Sequence, residues 1–132
     1  MGGGAPALTV LVDARNVLRS QWPNIPEQEL VDLCMTWAEA RGVRAVVAFD
    51  RKAPGGLVGE EELAPHCVLV GTGAESADDW LARAAAELRA ADQPFWLVTS
   101  DRELRARAGE GAEKVVGGGS FADELTSGGS TT

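Results

Sequence analysis

Aspartates recur in this chain where apolar runs end. Asp13 closes Leu8 to Val12, and Asp50 closes Ala45 to Phe49. Asp101 follows Phe95 to Thr99 and Ser100, and Glu75, Asp78 and Asp79 follow the turn Gly71-Thr72-Gly73. Carboxylates brought together repel, and keeping them ionised is costly unless a cation sits among them. An all-oxygen donor set suits Mg²⁺ or Mn²⁺ with some water retained. Other chemistries lack their residues. The only histidine, His66, precedes its apolar run, at the opposite end from the acids, so neither a zinc set nor a Ser-His-Asp relay is available. Cys34 and Cys67 lie inside apolar segments without a CxxC pair and read as buried thiols. No nucleophile elbow and no P-loop occur. Gly71-Thr72-Gly73 lacks the third glycine of a dinucleotide fingerprint and reads as a turn.

Each acid also has a plainer role open to it. Ser76-x-x-Asp79 and Ser100-x-x-Glu103 both have the form of a capping box. Asp78 and Asp101 would then lie in first helical turns, where the dipole favours any acid. Asp13 has no helix start nearby on this reading. Acids at all the ends together point to a shared site.

The elements that must position these residues are apolar runs alternating with helical periodicities. Strands are expected at Leu8–Val12, Ala45–Phe49, Cys67–Val70, Phe95–Thr99 and Lys114–Val116. Helices are expected at Pro26–Arg41, with Gly42 as its C-cap, at Ser76–Ala91 and from Ser100 to about Ala108. Ser120–Leu125 reads as a last helical turn, and Gly55–Gly59 as a mobile loop beside Asp50. Runs this uniformly apolar are buried on both faces, as in a parallel sheet between helical layers. The expected fold is a three-layer α/β/α sandwich around a mainly parallel five-stranded sheet. Its working site would lie beyond the carboxyl ends of the strands. Residues 1–7 read as a flexible lead, 8–125 as one domain and 126–132 as a flexible tail.

Composition narrows the class. With 132 residues, 45% hydrophobic and 24% charged, the chain can form one ordinary core. It carries no apolar run of membrane-spanning length and no basic leader, so a cytoplasmic location is expected. The net charge of −8, from 20 acids and 12 bases, argues against a generic basic nucleic-acid coat. It leaves room for a nucleic-acid enzyme, whose metal-holding acids add to that total. Arg15, Arg19, Arg51, Lys52 and Arg102 follow strand ends directly, a local basic rim for a phosphate backbone. Trp22 could stack on an unpaired base or staple the helix after it. Trp37, Trp80 and Trp96 read as core.

Taken in order, the motifs resemble those of NYN domains, which belong to the PIN-like ribonucleases. Val12-Asp13-Ala14-Arg15-Asn16 resembles their Asp-Gly-Tyr-Asn motif, and Val47-Ala48-Phe49-Asp50 their second strand. Gly73-Ala74-Glu75-Ser76-Ala77-Asp78 and Leu97-Val98-Thr99-Ser100-Asp101 are similar to stretches of the YacP-like branch. The correspondence spans about Leu8 to Leu125. It departs at Ala14 and Arg15, which stand in place of Gly-Tyr and touch no proposed ligand.

The resemblance implies a PIN-like fold and a metal-dependent endoribonuclease. It puts Asp13, Asp78 and Asp101 on Mg²⁺ or Mn²⁺, with Asp79 a competitor for the place of Asp78. Asn16 would support Asp13 or contact substrate, and Asp50 would be a further site acid. Glu75 is a secondary candidate, and Thr99 and Ser100 could bond a phosphate or a metal water, Ser100 equally a helix end. RNA is the implied partner, single-stranded or messenger RNA rather than DNA, with the ribosome a candidate for presenting it. The chief alternative is a catalytically weak PIN-like module that binds RNA or docks a partner. A receiver domain is disfavoured, because Asp13 lacks a paired acid and Lys114 precedes the valines of the last strand.

Overall fold

A computed structural model describes residues 8–20 and 25–128. Six strands and five helices follow in order: β1 (Thr9–Asp13), α1 (Ala14–Ser20), α2 (Glu27–Arg41), β2 (Arg44–Phe49), β3 (Gly59–Ala64), β4 (Cys67–Gly71), α3 (Ala77–Ala90), β5 (Phe95–Val98), α4 (Arg102–Ala108), β6 (Lys114–Val116) and α5 (Gly118–Gly128). One sheet holds all six strands, in the order β3-β4-β2-β1-β5-β6. Every pairing is parallel except β3 with β4.

Alternation along the strands divides the core into two layers. Val10, Val12, Val47 and Phe49 pack with Val17, Leu30, Cys34, Trp37 and Phe121 of α1, α2 and α5. Leu11, Val46, Ala48 and Leu97 face the other way, against Leu81, Ala85, Leu104 and Ala108 of α3 and α4. The three-layer sandwich therefore stands. Trp37 is buried, stacked edge-on against Phe121, with Nε1 donating to Glu124 at 2.9 Å. Trp80 and Trp96 are only half-buried, at the margins of the two layers rather than inside them. Gly42 caps α2 in a left-handed conformation, as its position implied.

Several expectations are corrected. The sheet has six strands rather than five: Gly59–Ala64 forms an antiparallel edge strand, at the end of the expected loop Gly55–Gly59, where no strand was expected. Its Gly-Glu-Glu-Glu-Leu-Ala sequence hides this because an edge exposed on both faces needs no apolar alternation. The connection before it is ordered by a short 3₁₀ turn at Pro54–Gly56 and a bridge between Ala53 and Leu57. A helix, α1, starts directly after Asp13, so Asp13 does stand at a helix start. Ser100 does not open α4; Asp101 is its N-cap, accepting from Leu104 N–H at 3.0 Å, and no Ser100–Glu103 capping box forms. The last helix begins at Gly118 and reaches Gly128, so residues 126–128 are helical rather than tail. Within it the Thr126 hydroxyl bonds the carbonyl of Ala122. The expected lead at 1–7, residues 129–132 of the expected tail, and Trp22 lie outside the described residues.

Candidate active site

The carboxyl ends of β1, β2 and β5 and the N-terminus of α3 meet at one edge of the sheet. Asp13, Asp50, Asp78 and Asp101 line a single pocket there of about 230 Å³. Asn16, Arg15, Arg19 and Ser76 complete its wall. Asp13 is 6% exposed. Its Oδ2 accepts from the Thr99 hydroxyl at 3.0 Å, and its Oδ1 lies 3.5 Å from the Asn16 N–H, at the start of α1. The fully buried Thr99 hydroxyl also accepts the Asp101 N–H at 3.1 Å, so one oxygen links two of the acidic segments.

The Asn16 side chain does not support Asp13. Its Oδ1 accepts the Ser100 N–H at 2.8 Å, tying the end of β1 to the end of β5. Its Nδ2 has no protein partner among the described residues and is a donor available at the pocket wall. Ser100 Oγ in turn accepts the N–H of Gly118, at the start of α5, at 2.9 Å. A Cβ on Gly118 would run into Asn16 Oδ1 and lie 3.0 Å from the Asn16 carbonyl, so glycine alone permits this approach. Sequence reasoning missed Gly118; the signal was the Gly117-Gly118-Gly119 run after the last strand.

Asp50 is tied to the start of α3. Its Oδ1 accepts the Ala77 N–H at 2.8 Å, and its Oδ2 faces Arg15 at 3.4 Å. Ser76 Oγ caps the same helix by accepting from Asp79 N–H at 3.0 Å. The Asp79 carboxylate turns outward to Arg107 at 2.8 Å, and Asp78 faces the pocket. Glu75 also faces away from the acids and pairs with Arg83 at 2.5 Å. Arg51 and Lys52 line a neighbouring cleft, whereas Arg102 lines neither that cleft nor the acidic pocket.

The field of the pocket is visible in two carboxyls. Burial raises the pKa of Asp13 above its ordinary value, against the opposing hydrogen bonds from Thr99 and Asn16; Asp78 and Asp50 add to the rise. Burial likewise raises Asp78, followed by repulsion from Asp101 and Asp50. Arg107 holds Asp79 below its usual value. The thiols are inert: burial pushes Cys67 up to about 11 and Cys34 higher still.

Among the described residues, no three His, Cys, Asp or Glu side chains converge as closely as the ligands of a bound ion. The donor chemistry still fits a hard divalent cation. All the donors are oxygens, the carboxylates destabilise one another, and the open pocket has room for an ion that keeps several waters.

The three-layer α/β sandwich around a mainly parallel sheet is a PIN-like fold. The chain belongs to the YacP-like NYN domain family, which it matches over residues 10–127; the domain is typically a nuclease fold. It is similar in structure to Rae1 (YacP) from Bacillus subtilis, with a TM-score of 0.67 and 19% identity, over 90% of this chain and 74% of that one. The W164L mutant of the same protein matches with a TM-score of 0.65 and 19% identity, over 90% and 75% of the two chains. At this identity the likeness is one of fold. No curated protein matches the sequence. No helix among the described residues is long and apolar enough to cross a membrane.

Proposed function

We propose that the protein is a metal-dependent endoribonuclease that hydrolyses RNA phosphodiester bonds, with Asp13, Asp78 and Asp101 holding Mg²⁺ or Mn²⁺. The observation that carries this reading is the convergence of four carboxylates, from four separate chain segments, on one pocket where burial and the neighbouring acids raise the proton affinity of Asp13 and Asp78. When bound, such an ion would activate a water for attack and offset charge on the phosphate.

The remaining steps belong to the chain. Thr99 donates to Asp13 and fixes which face of that carboxylate turns to the pocket. Asn16 offers its Nδ2 hydrogens to a non-bridging phosphate oxygen, because its Oδ1 is engaged by Ser100. Asp50 anchors the start of α3, the segment that carries Asp78, and holds Arg15 over the pocket. Arg15 and Arg19 supply positive charge beside the acids. Asp78, rather than Asp79, is the ligand in this reading, because Arg107 holds the Asp79 carboxylate on the outside of α3. The reading includes a cytoplasmic setting, and the ribosome remains a candidate for presenting the RNA.

The open spacing of the acids favours one second reading, an RNA-binding or docking module with weak catalysis. A labelled single-stranded RNA incubated with Mg²⁺, Mn²⁺ or EDTA separates the two, with Asp13→Asn as the control. The enzyme reading expects cutting with metal, none in EDTA and none by the variant. It also expects Mn²⁺ to raise the melting temperature of the wild type, and to do so less at pH 5 than at pH 7, as protons compete for the carboxylates. Uncut RNA and an unmoved melting temperature would overturn the metal-dependent reading and favour the module.

A further inference from the structure

A second cleft, of about 850 Å³, opens from the acidic pocket across the ends of β2 and β4. It shares Arg15, Asp50 and Ser76 with that pocket, so the two are continuous. Arg51, Lys52 and Val58 form a wall of it that continues into the turn Gly73 to Ser76. The acids of the cleft already have partners: Asp50 has the Ala77 N–H and Arg15, and Glu75 has Arg83. No ion pair among the described residues engages Arg51 or Lys52. On a protein of net charge −8 this wall is a local excess of positive charge leading to the acids.

The wall is held in place against backbone preference. Arg51 has φ 65°, a left-handed conformation that costs a side-chain-bearing residue about 1 kcal/mol. Its N–H donates to the Thr72 hydroxyl at 3.2 Å, and its carbonyl accepts from Gly73 N–H at 2.9 Å. Gly71 lets the following loop close over β4, since a Cβ there would lie 2.8 Å from the Ala53 nitrogen. The result is a fixed rim that presents Arg51 and Lys52. Val58, 58% exposed, is the larger outlier of the two exposed large apolar side chains among the described residues. Paired cations beside one exposed apolar side chain suit an unstacked nucleotide, with its phosphate on one and its base against the other.

We propose that this cleft is the track for an unpaired RNA strand on one side of the bond to be cut, with Arg51 and Lys52 on its backbone phosphates and Val58 against a base. The proposal rests on the nuclease reading and adds to it the direction the substrate takes, across the ends of β2 and β4.

The test is binding of a labelled single-stranded RNA, about a dozen nucleotides long, to Asp13→Asn protein in Mg²⁺, titrated with salt. The second protein adds Arg51→Gly and Lys52→Gln. Glycine is at ease at φ 65°, so this double change removes charge without straining the loop, and its melting temperature should hold or rise. Binding should weaken about tenfold near 0.1 M salt, and the salt slope should fall by about 1.4, roughly 0.7 for each lost phosphate contact. Arg44→Gln with Lys114→Gln makes the same change in net charge at the amino edge and should leave the slope unchanged. An unchanged slope in the cleft variant, or an equal fall in the amino-edge variant, overturns the track and leaves the nuclease reading standing. Equal affinity for a duplex, lost in the same way, overturns the unpaired strand. Failure of the starting protein to bind free RNA overturns the track, and the cleavage and metal-binding tests above then decide the nuclease reading by themselves.

Discussion

Asp78 shows how the site is held together at the cost of stability. Burial, Asp101 and Asp50 all raise its pKa, so the folded chain binds this proton more tightly than the unfolded chain does. Stability from that proton is complete below the ordinary aspartate range and is lost as pH rises through the raised folded value. At neutral pH the ionised carboxylate therefore strains the metal-free fold. Asp78→Asn should raise the metal-free melting temperature by roughly 1–3 °C at pH 7, and the gain should vanish below the ordinary aspartate range, toward about pH 3, where the carboxyl is protonated in the folded and unfolded chain alike. Scanning calorimetry of the two proteins across that range checks it; a gain that persists at low pH would point to a packing effect instead. Cleavage should be lost in the variant. Asp13 and Asp50 were legible in the sequence, because each directly follows an apolar run of strand length. The choice between Asp78 and Asp79 was not legible. It depends on Arg107, a residue of α4 that reaches Asp79 from 28 positions away. The role of Asn16 was hidden for the same reason, since its acceptor is engaged from across the sheet at Ser100.

At the scale of elements, the start of α5 braces the site from behind. Gly118 N–H bonds Ser100 Oγ, and the bare Cα packs against Asn16 and Ser20. Gly118→Ala should push α5 away from α1, cost roughly 1–3 kcal/mol of stability and reduce cleavage more than the stability loss alone predicts. Urea unfolding alongside single-turnover rates would separate the two effects; full activity in the variant would show that the brace does not matter. The central strands and long helices were readable because burial on both faces imposes a continuous apolar run, and an amphipathic helix imposes its period. β3 was not, because its Glu60, Glu61 and Glu62 face solvent and only backbone pairing with β4 defines it. α1 was missed because it follows β1 without a linker and its seven residues are too few to show a helical period.

Across the whole molecule, the acids of the pocket come from positions 13, 50, 78 and 101, and the brace comes from position 118. No short contiguous fragment contains the site. Parallel pairing makes this unavoidable, since each strand end can join its neighbours only after a long crossover has been made. A chain ending before β6 and α5 would lack the bond that fixes Ser100, and with it the hold on Asn16. Chains of this kind, made by truncation after Gly109, should show no cleavage even where far-ultraviolet dichroism reports helices. Timing follows from the same geometry. During synthesis from the N-terminus, the brace on the acidic pocket is the last part of the domain to be made. On the proposed function, a growing chain could not cut the message from which it is being translated until this brace has been made, with the order of synthesis acting as its inhibitor.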